Sequence, residues 1–170
     1  MFTYNINGIA LEAVNTFKYL GVMFSNACSK LRYTTAIEHR LMQSKRLVAA
    51  WMRRCAIWMF KPDVVVHQFK TCVMPALEYG VGLWGAGQYR STIWEKVESF
   101  WRFIARCILG VHQRSPNSGV YGELGWFPFQ VRACKQASSM FTRITKLGNE
   151  CLVRKAMYVQ RSMYAAIITY

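Results

Sequence analysis

From Tyr33 to Phe60 the chain repeats apolar residues at the spacing of an α-helix. At about 100° per residue, Ile37, Leu41, Val48, Met52, Cys55 and Met59 fall on one stripe. Arg40, Lys45, Arg46, Arg53, Arg54 and Lys61 occupy the remaining arc, and no acid stands between Arg40 and Lys61. Such a stripe needs a second apolar surface to cover it, so the chain has to fold around a helix of roughly seven turns. From Arg40 onward every charged residue of its polar arc is a cation. A helix that needs only solubility interleaves Glu with Lys, because like charges one turn apart repel. The uncompensated arc therefore reads as a surface that meets phosphates, against the plainer reading of a solvated face.

The whole chain carries the same imbalance. Lys and Arg total 22 against 8 Asp and Glu, a formal net charge of +14. Hydrophobic residues make up 53% and aromatics 15%, which excludes a basic disordered tail. With 170 residues the chain is long enough to bury a core. A folded module this basic favours a polyanion partner, nucleic acid before a membrane surface. Asp63 is the only aspartate. That excludes an Asp–Asp metal pair, an Asp-rich calcium loop and most two-carboxylate phosphoryl-transfer sites.

The remaining elements follow from turn and cap signals. Phe2 to Ile6 and Ile9 to Val14 flank Asn7-Gly8, a strong hairpin signal because both turn residues take positive φ. Phe17 to Phe24 is a third apolar run, broken by Gly21. Pro62 suits the first turn of a helix running from about Asp63 to Val73, with a kink at Pro75. Asp63 there reads as a cap rather than a catalyst. Thr92-x-x-Glu95 is a capping-box pattern opening a helix to about Leu109. Val97, Phe100, Trp101, Ile104 and Ile108 form its apolar face, Arg102 and Arg106 lie together on another, and Gly110 stops it. A short helix is expected near Tyr121, one from Pro128 to Leu147, and a last one from about Cys151 to Tyr170. The fold class is mainly α with a small N-terminal β-hairpin or three-stranded element. The divisions are a 1–30 β-hairpin piece, a 31–110 helical region with the basic helix, and a 111–170 helical region.

Chemistry-bearing motifs are sparse. Cys28, Cys55, Cys72, Cys107, Cys134 and Cys151 have no CxxC spacing and read as reduced core thiols rather than zinc ligands. His39, His67 and His112 sit on separate elements. Gly80-Val81-Gly82-Leu83-Trp84-Gly85 matches GxGxxG by letter. The dinucleotide fingerprint needs a strand before it and an acid about 20 residues later, and neither is present. The glycines read instead as a bend packed close to Trp84. Glu78 reads as half-buried and paired with a base. Aromatics mixed with cations (Trp51, Arg53, Arg54, Trp58; Trp94, Lys96, Trp101, Arg102) are of the type that stacks on bases, but their helical spacing favours core. No catalytic residue, metal site or cofactor is expected. The N-terminus lacks a basic n-region and a long apolar h-region, so the expectation is an intracellular protein, nuclear or cytoplasmic, with no membrane span.

Four segments, in order, carry a resemblance. Phe17-Lys18-Tyr19-Leu20-Gly21-Val22 follows the Asn-Gly hairpin. Pro75-Ala76-Leu77-Glu78-Tyr79-Gly80 is followed by Leu83-Trp84-Gly85. Glu98, Phe100 and Arg102 precede Ile108-Leu109-Gly110-Val111, and Tyr121-x-Glu123-Leu124-Gly125 comes last. Together they resemble the carboxy-terminal region of reverse transcriptases from non-LTR (LINE-type) retrotransposons, over roughly Tyr4 to Cys151. The resemblance implies that the Tyr19-Leu20-Gly21 hairpin closes the palm, near the primer terminus. It implies that the following helices are thumb and linker. It also implies that Arg40, Lys45, Arg46, Arg53, Arg54 and Lys61 hold a template–primer duplex, or an RNA–DNA hybrid, by its backbone. Such contacts position rather than specify, so little sequence preference is expected.

The departure from that family is in the aspartates. Polymerisation needs two metal ions held by aspartates, typically Tyr-x-Asp-Asp, and this chain has one Asp in all. The expectation is a catalytically incomplete fragment whose fingers and palm lie upstream of Met1. It would have no polymerase activity alone and would expose apolar surface that promotes self-association. The rival expectations are a non-enzymatic helical protein-interaction module, and a cofactor enzyme at Gly80 to Gly87.

Overall fold

The computed structural model describes residues 5–6, 9–10, 14–25, 33–55, 60–85 and 92–158. The chain is mainly helical with a small antiparallel β portion at its N-terminal end, as expected. β1 (Asn5–Ile6) pairs with β2 (Ile9–Ala10), Ile6 opposite Ile9, and the expected Asn7-Gly8 turn lies outside the described residues. β3 (Thr16–Tyr19) pairs with β4 (Val22–Ser25), Tyr19 opposite Val22. Leu20 and Gly21 form the turn, with φ of 45° and 78°. Two successive positive φ values are what a tight two-residue hairpin requires. Gly21 adopts one freely, whereas Leu20 is strained by about 1 kcal/mol. The run from Phe17 to Phe24 is thus not one strand broken at Gly21. It is a second hairpin, because two positive-φ residues reverse the chain. The two hairpins form separate two-stranded sheets rather than a three-stranded one.

α1 (Thr34–Cys55) follows the expected stripe, burying Ile37, Leu41, Val48 and Trp51. Positions 56–59 of the expected helix lie outside the described residues. α2 (Pro62–Cys72) has Lys61 as N-cap and Pro62 in its first turn, where a missing N–H costs nothing. Asp63 sits in that turn near the positive helix end, but no side-chain cap bond forms. The helix stops at Val73 and α3 (Met74–Glu78) restarts through Pro75, so the expected kink is a break. Gly80, at φ 73°, then turns the chain into α4 (Val81–Trp84).

α5 (Thr92–Leu109) buries all five residues of its expected apolar face, with Ile93 and Trp94. Thr92 is already helical, and Glu95 Oε1 accepts from Ser99 and Arg102, so the pair does not act as a capping box. Gly110, at φ 65°, ends the helix as expected, with Val111 N–H donating back to Arg106 O. α6 (Asn117–Leu124) supplies the short helix near Tyr121 and closes on Gly125, at φ 60°. α7 (Phe129–Thr145) begins after Pro128 and ends two residues before Leu147. There Leu147 N–H donates to Ile144 O, a tighter last turn. Residues 152–158 are helical, and the rest of that expected helix lies outside the described residues.

Rings build the centre. Trp101 stacks on Trp126 with centroids 4.5 Å apart, and Phe69 lies 5.7 Å from Trp101. Phe129 lies 5.5 Å from Trp101 and 6.3 Å from Trp84. Two of the buried tryptophans satisfy their polar ends on backbone: Trp101 Nε1 donates to Phe127 O at 3.1 Å and Trp84 Nε1 to Tyr79 O at 3.2 Å, whereas the indole N–H groups of Trp51 and Trp126 are buried without a partner among the described residues. One apolar cluster runs from Ile37 to Ala133, with no break in packing at 110/111. The expectation of core thiols does not hold for the described cysteines: Cys72 is exposed, and Cys107, Cys134 and Cys151 are half-buried. Cys107 shows why, since it sits about 100° from buried Ile108, at the edge of the buried stripe beside Phe100.

Candidate nucleic-acid interface

The cations of α1 do not form a single patch. Arg46 and Arg53 are seven positions apart, so they share one line opposite the buried stripe, about 10 Å apart along the axis. Both are exposed, and Arg53 Nε donates to Ala49 O at 3.1 Å, which lays its stem along the helix. Lys45 is exposed on the flank facing α5. Lys61 is exposed at the start of α2. Lys45, Arg46 and Lys61 have no ion-pair partner among the described residues. The Arg54 side chain lies outside the described residues.

Arg40 has a different task. Its guanidinium donates to Gly21 O of the hairpin turn and to Gln43 Oε1 at 2.9 Å. It also lies over the Tyr79 ring, 4.2 Å from the centroid. Tyr79 in turn donates its hydroxyl to Leu20 O at 2.6 Å, across 59 positions of sequence. A Cβ at Gly21 would stand 3.0 Å from Arg40 Nη2, and one at Gly80 would stand 3.2 Å from Val22 Cγ2. The turn is thus clamped by Tyr79 on Leu20 and Arg40 on Gly21, with Gly80 against Val22.

His39, a neighbour of this clamp, was not singled out by sequence. Burial and then the charges of Arg40, Lys18 and Arg46 hold its imidazole below the ordinary value of 6.5. Its Nδ1 is buried without a hydrogen-bond partner. The signal available in sequence was its place beside Arg40 and seven residues before Arg46. His39, His67 and His112 lie apart, on α1, on α2 and after α5, as expected.

The other resembling segments also hold the fold together. Glu78 is largely buried and accepts from Arg132 Nε at 2.7 Å and from Gln136 Nε2 at 2.7 Å, the pairing expected of it. Arg132 reaches it from α7 and passes over Trp101. Glu98 accepts from the Tyr121 hydroxyl at 2.8 Å, which together with burial pushes that phenol upward. Glu123 is exposed, Leu124 packs against the core and Gly125 caps α6. Pro75 is exposed in α3. Arg102 is held by Glu95, and Arg106 donates to Ser115 O and Asn117 Oδ1.

The GxGxxG segment, expected as a bend, is the short helix α4 capped by Gly80 and Gly85 and packed through Trp84 into the core. A helix precedes it, a Cβ at Gly85 would meet Ala133 O at 2.9 Å, and one at Gly82 would meet Met140 Sδ at 2.8 Å. These glycines let α4 lie directly on α7, which leaves no room there for a pyrophosphate. Among the described residues no group of three His, Cys, Asp or Glu is placed to hold a metal ion. No described helix is long and apolar enough to cross a membrane. No protein-family model, curated protein or solved structure matches the chain.

Proposed function

We propose that the chain is a catalytically incomplete, thumb-like carboxy-terminal piece of a non-LTR retrotransposon reverse transcriptase, and that it holds duplex or RNA–DNA hybrid nucleic acid by its backbone. The observation that carries this reading is the clamp between two of the resembling segments. Tyr79 holds Leu20 O across the fold, Gly80 lies against Val22 of the same hairpin, and Arg40 of the basic helix closes the grip on Gly21 O. A hairpin that ends a palm has to be fixed to the first thumb helix in some such way, or the thumb would not be positioned. Further support comes from β3, where Phe17 and Tyr19 are exposed on a strand whose one partner among the described residues is β4. Apolar residues so placed belong against a neighbouring surface. Arg46 and Arg53 supply backbone-type contacts, and the single Asp63 supplies no metal pair.

Anisotropy of a labelled RNA–DNA hybrid, titrated at several salt concentrations, tests the reading. Affinity is expected to fall steeply with salt, and Arg46→Glu with Arg53→Glu is expected to weaken binding across sequences and flatten the salt slope by about two phosphates' worth. Salt-independent affinity, or an unchanged curve for the double variant, rejects a backbone grip on α1. Primer extension by the purified chain would reject catalytic incompleteness. The exposed hairpin also suits the second reading, a non-enzymatic protein-interaction module. A stoichiometric protein complex with no nucleic-acid affinity at physiological salt favours that one.

A further inference from the structure

A groove of about 670 Å³ runs between α1 and α5. Val48 and Met52 of α1 and Phe100 of α5 form its floor, with Lys45 on one rim and Lys96 on the other. Phe103 stands in it, 49% exposed. Its place follows from helical phase, since Phe103 lies about 110° from the centre of the buried stripe of α5. That stripe is already filled by Val97, Trp101 and Ile104. A ring there contributes little to the core and keeps one face toward solvent.

The sequence placed aromatic stacking on tryptophans mixed with cations, but Trp51, Trp94 and Trp101 are all buried. Phe103 is an exposed ring that shares this groove with Lys45 and Lys96. Lys45 has no ion-pair partner among the described residues, and Lys96 reaches Glu38 only at 4.0 Å with both side chains exposed. The nearest acid on the rim, Glu95, is neutralised by Arg102. The groove therefore joins an apolar floor and an accessible ring to a positive rim. An aromatic platform between cations suits a planar base carried on an anionic backbone, and stacking on such a ring is tolerant of base identity.

We propose that this groove takes one unstacked base of a single-stranded nucleic acid, stacked on Phe103, with the adjoining phosphates at Lys45 and Lys96. The Thr92 hydroxyl on the wall supplies a donor and acceptor to the base edge, while the Ser99 hydroxyl is engaged with Glu95 and Arg102. The strand continues along α1 toward Arg46 and Arg53, so the proposal rests on the reading of α1 as a backbone-binding helix. An uninterrupted duplex keeps its bases stacked on one another and offers none to the groove. The site thus selects single strands or strand ends.

The test compares a labelled single-stranded 12-mer RNA with a blunt RNA–DNA hybrid of the same sequence, at one salt concentration. Phe103→Ala is expected to weaken single-strand binding roughly five- to a hundred-fold and to leave the hybrid within about twofold. Phe103→Trp is expected to retain single-strand binding, and both variants to melt like the parent, because the ring is half exposed. 2-Aminopurine within the single strand is expected to be quenched by the parent protein and not by Phe103→Ala. If Phe103→Ala changes neither ligand while Arg46→Glu with Arg53→Glu weakens both, the groove proposal falls and the backbone reading stands. If neither variant changes either ligand, both fall. A Phe103→Ala effect seen only as loss of a dimer in sedimentation assigns the groove to a second copy and overturns the proposal.

Discussion

The hairpin of β3 and β4 and the helical body are held by different physics. At the centre of the body Phe69, Trp101 and Phe129 are completely buried, and rings from α2, α5 and α7 touch one another. Its ion pair, Glu78 with Arg132, ties α3 to α7 beside those rings. In the hairpin every residue of β3 is exposed, and Leu20 is the most exposed of its apolar residues, at 73%. Val22 is its one fully buried residue. Two donors from the helices, Tyr79 and Arg40, fix the turn by its carbonyls. Apolar burial is cumulative and non-directional, so it makes the body stable. Two directed hydrogen bonds add little stability but set position. The hairpin is therefore aimed rather than buried, as a surface prepared for contact would be.

The comparison can be broken most sharply at the body. Trp101→Ala removes the ring at the centre and leaves a cavity, with an expected loss of about 3–5 kcal/mol. Urea unfolding measures it, and a loss below about 1 kcal/mol would mean that the ring cluster does not organise the core. At the hairpin, Tyr79→Phe keeps the ring under Arg40 but removes the bond to Leu20 O. The expected cost is about 1 kcal/mol, seen as faster hydrogen exchange at 16–25 with unchanged protection in α5. Loss of protection in α5 as well would join hairpin and body into one cooperative unit.

Acidification gives a smaller effect at the junction. Because the folded His39 imidazole is held below 6.5, the unfolded state binds the proton more readily. Stability is then expected to be full above about pH 6.5 and to be lost progressively as pH falls through the folded value. His39→Gln is expected to flatten that limb of a stability profile, and an identical slope in the variant would assign it to other groups. The smallest expected effect on stability is that of Phe17→Thr. This substitution on an exposed strand is expected to change unfolding by less than about 0.5 kcal/mol. It is also expected to shift sedimentation toward monomer, and an unchanged association state would mean that the exposed strand is not the sticky surface.

Much of the fold was legible because helical periodicity and punctuation agreed. The stripe of α1, the start at Pro62, the face of α5 and the stop at Gly110 are local signals that tertiary packing did not override. The resemblance marked a hairpin at Tyr19-Leu20-Gly21, but the residues alone did not make Leu20 legible as a turn residue, because a branched side chain argues against positive φ; the pairing of Tyr19 with Val22 and the clamp from Arg40 and Tyr79 hold the turn there. The candidate site was legible in charge and not in arrangement. Counting cations along α1 treats Arg40 and Arg46 alike, yet one is turned inward to Gly21 and Tyr79 while the other faces water. Phe103 was unreadable for a related reason. Its environment depends on how far α5 stands from α1, which no pattern within α5 records.

The sequence by itself determined a basic, mainly helical chain with one aspartate, the apolar stripes of its two longest helices and the pairing of Glu78 with a base. These follow from composition and from periods of a few residues. Tertiary structure alone decided which cations of α1 stay free, that Phe103 stands in the groove beside α1 and that Tyr79 meets the hairpin across 59 positions. Those outcomes depend on the distance and phase between elements, and helices α1 and α5 acquire both only when they share a core.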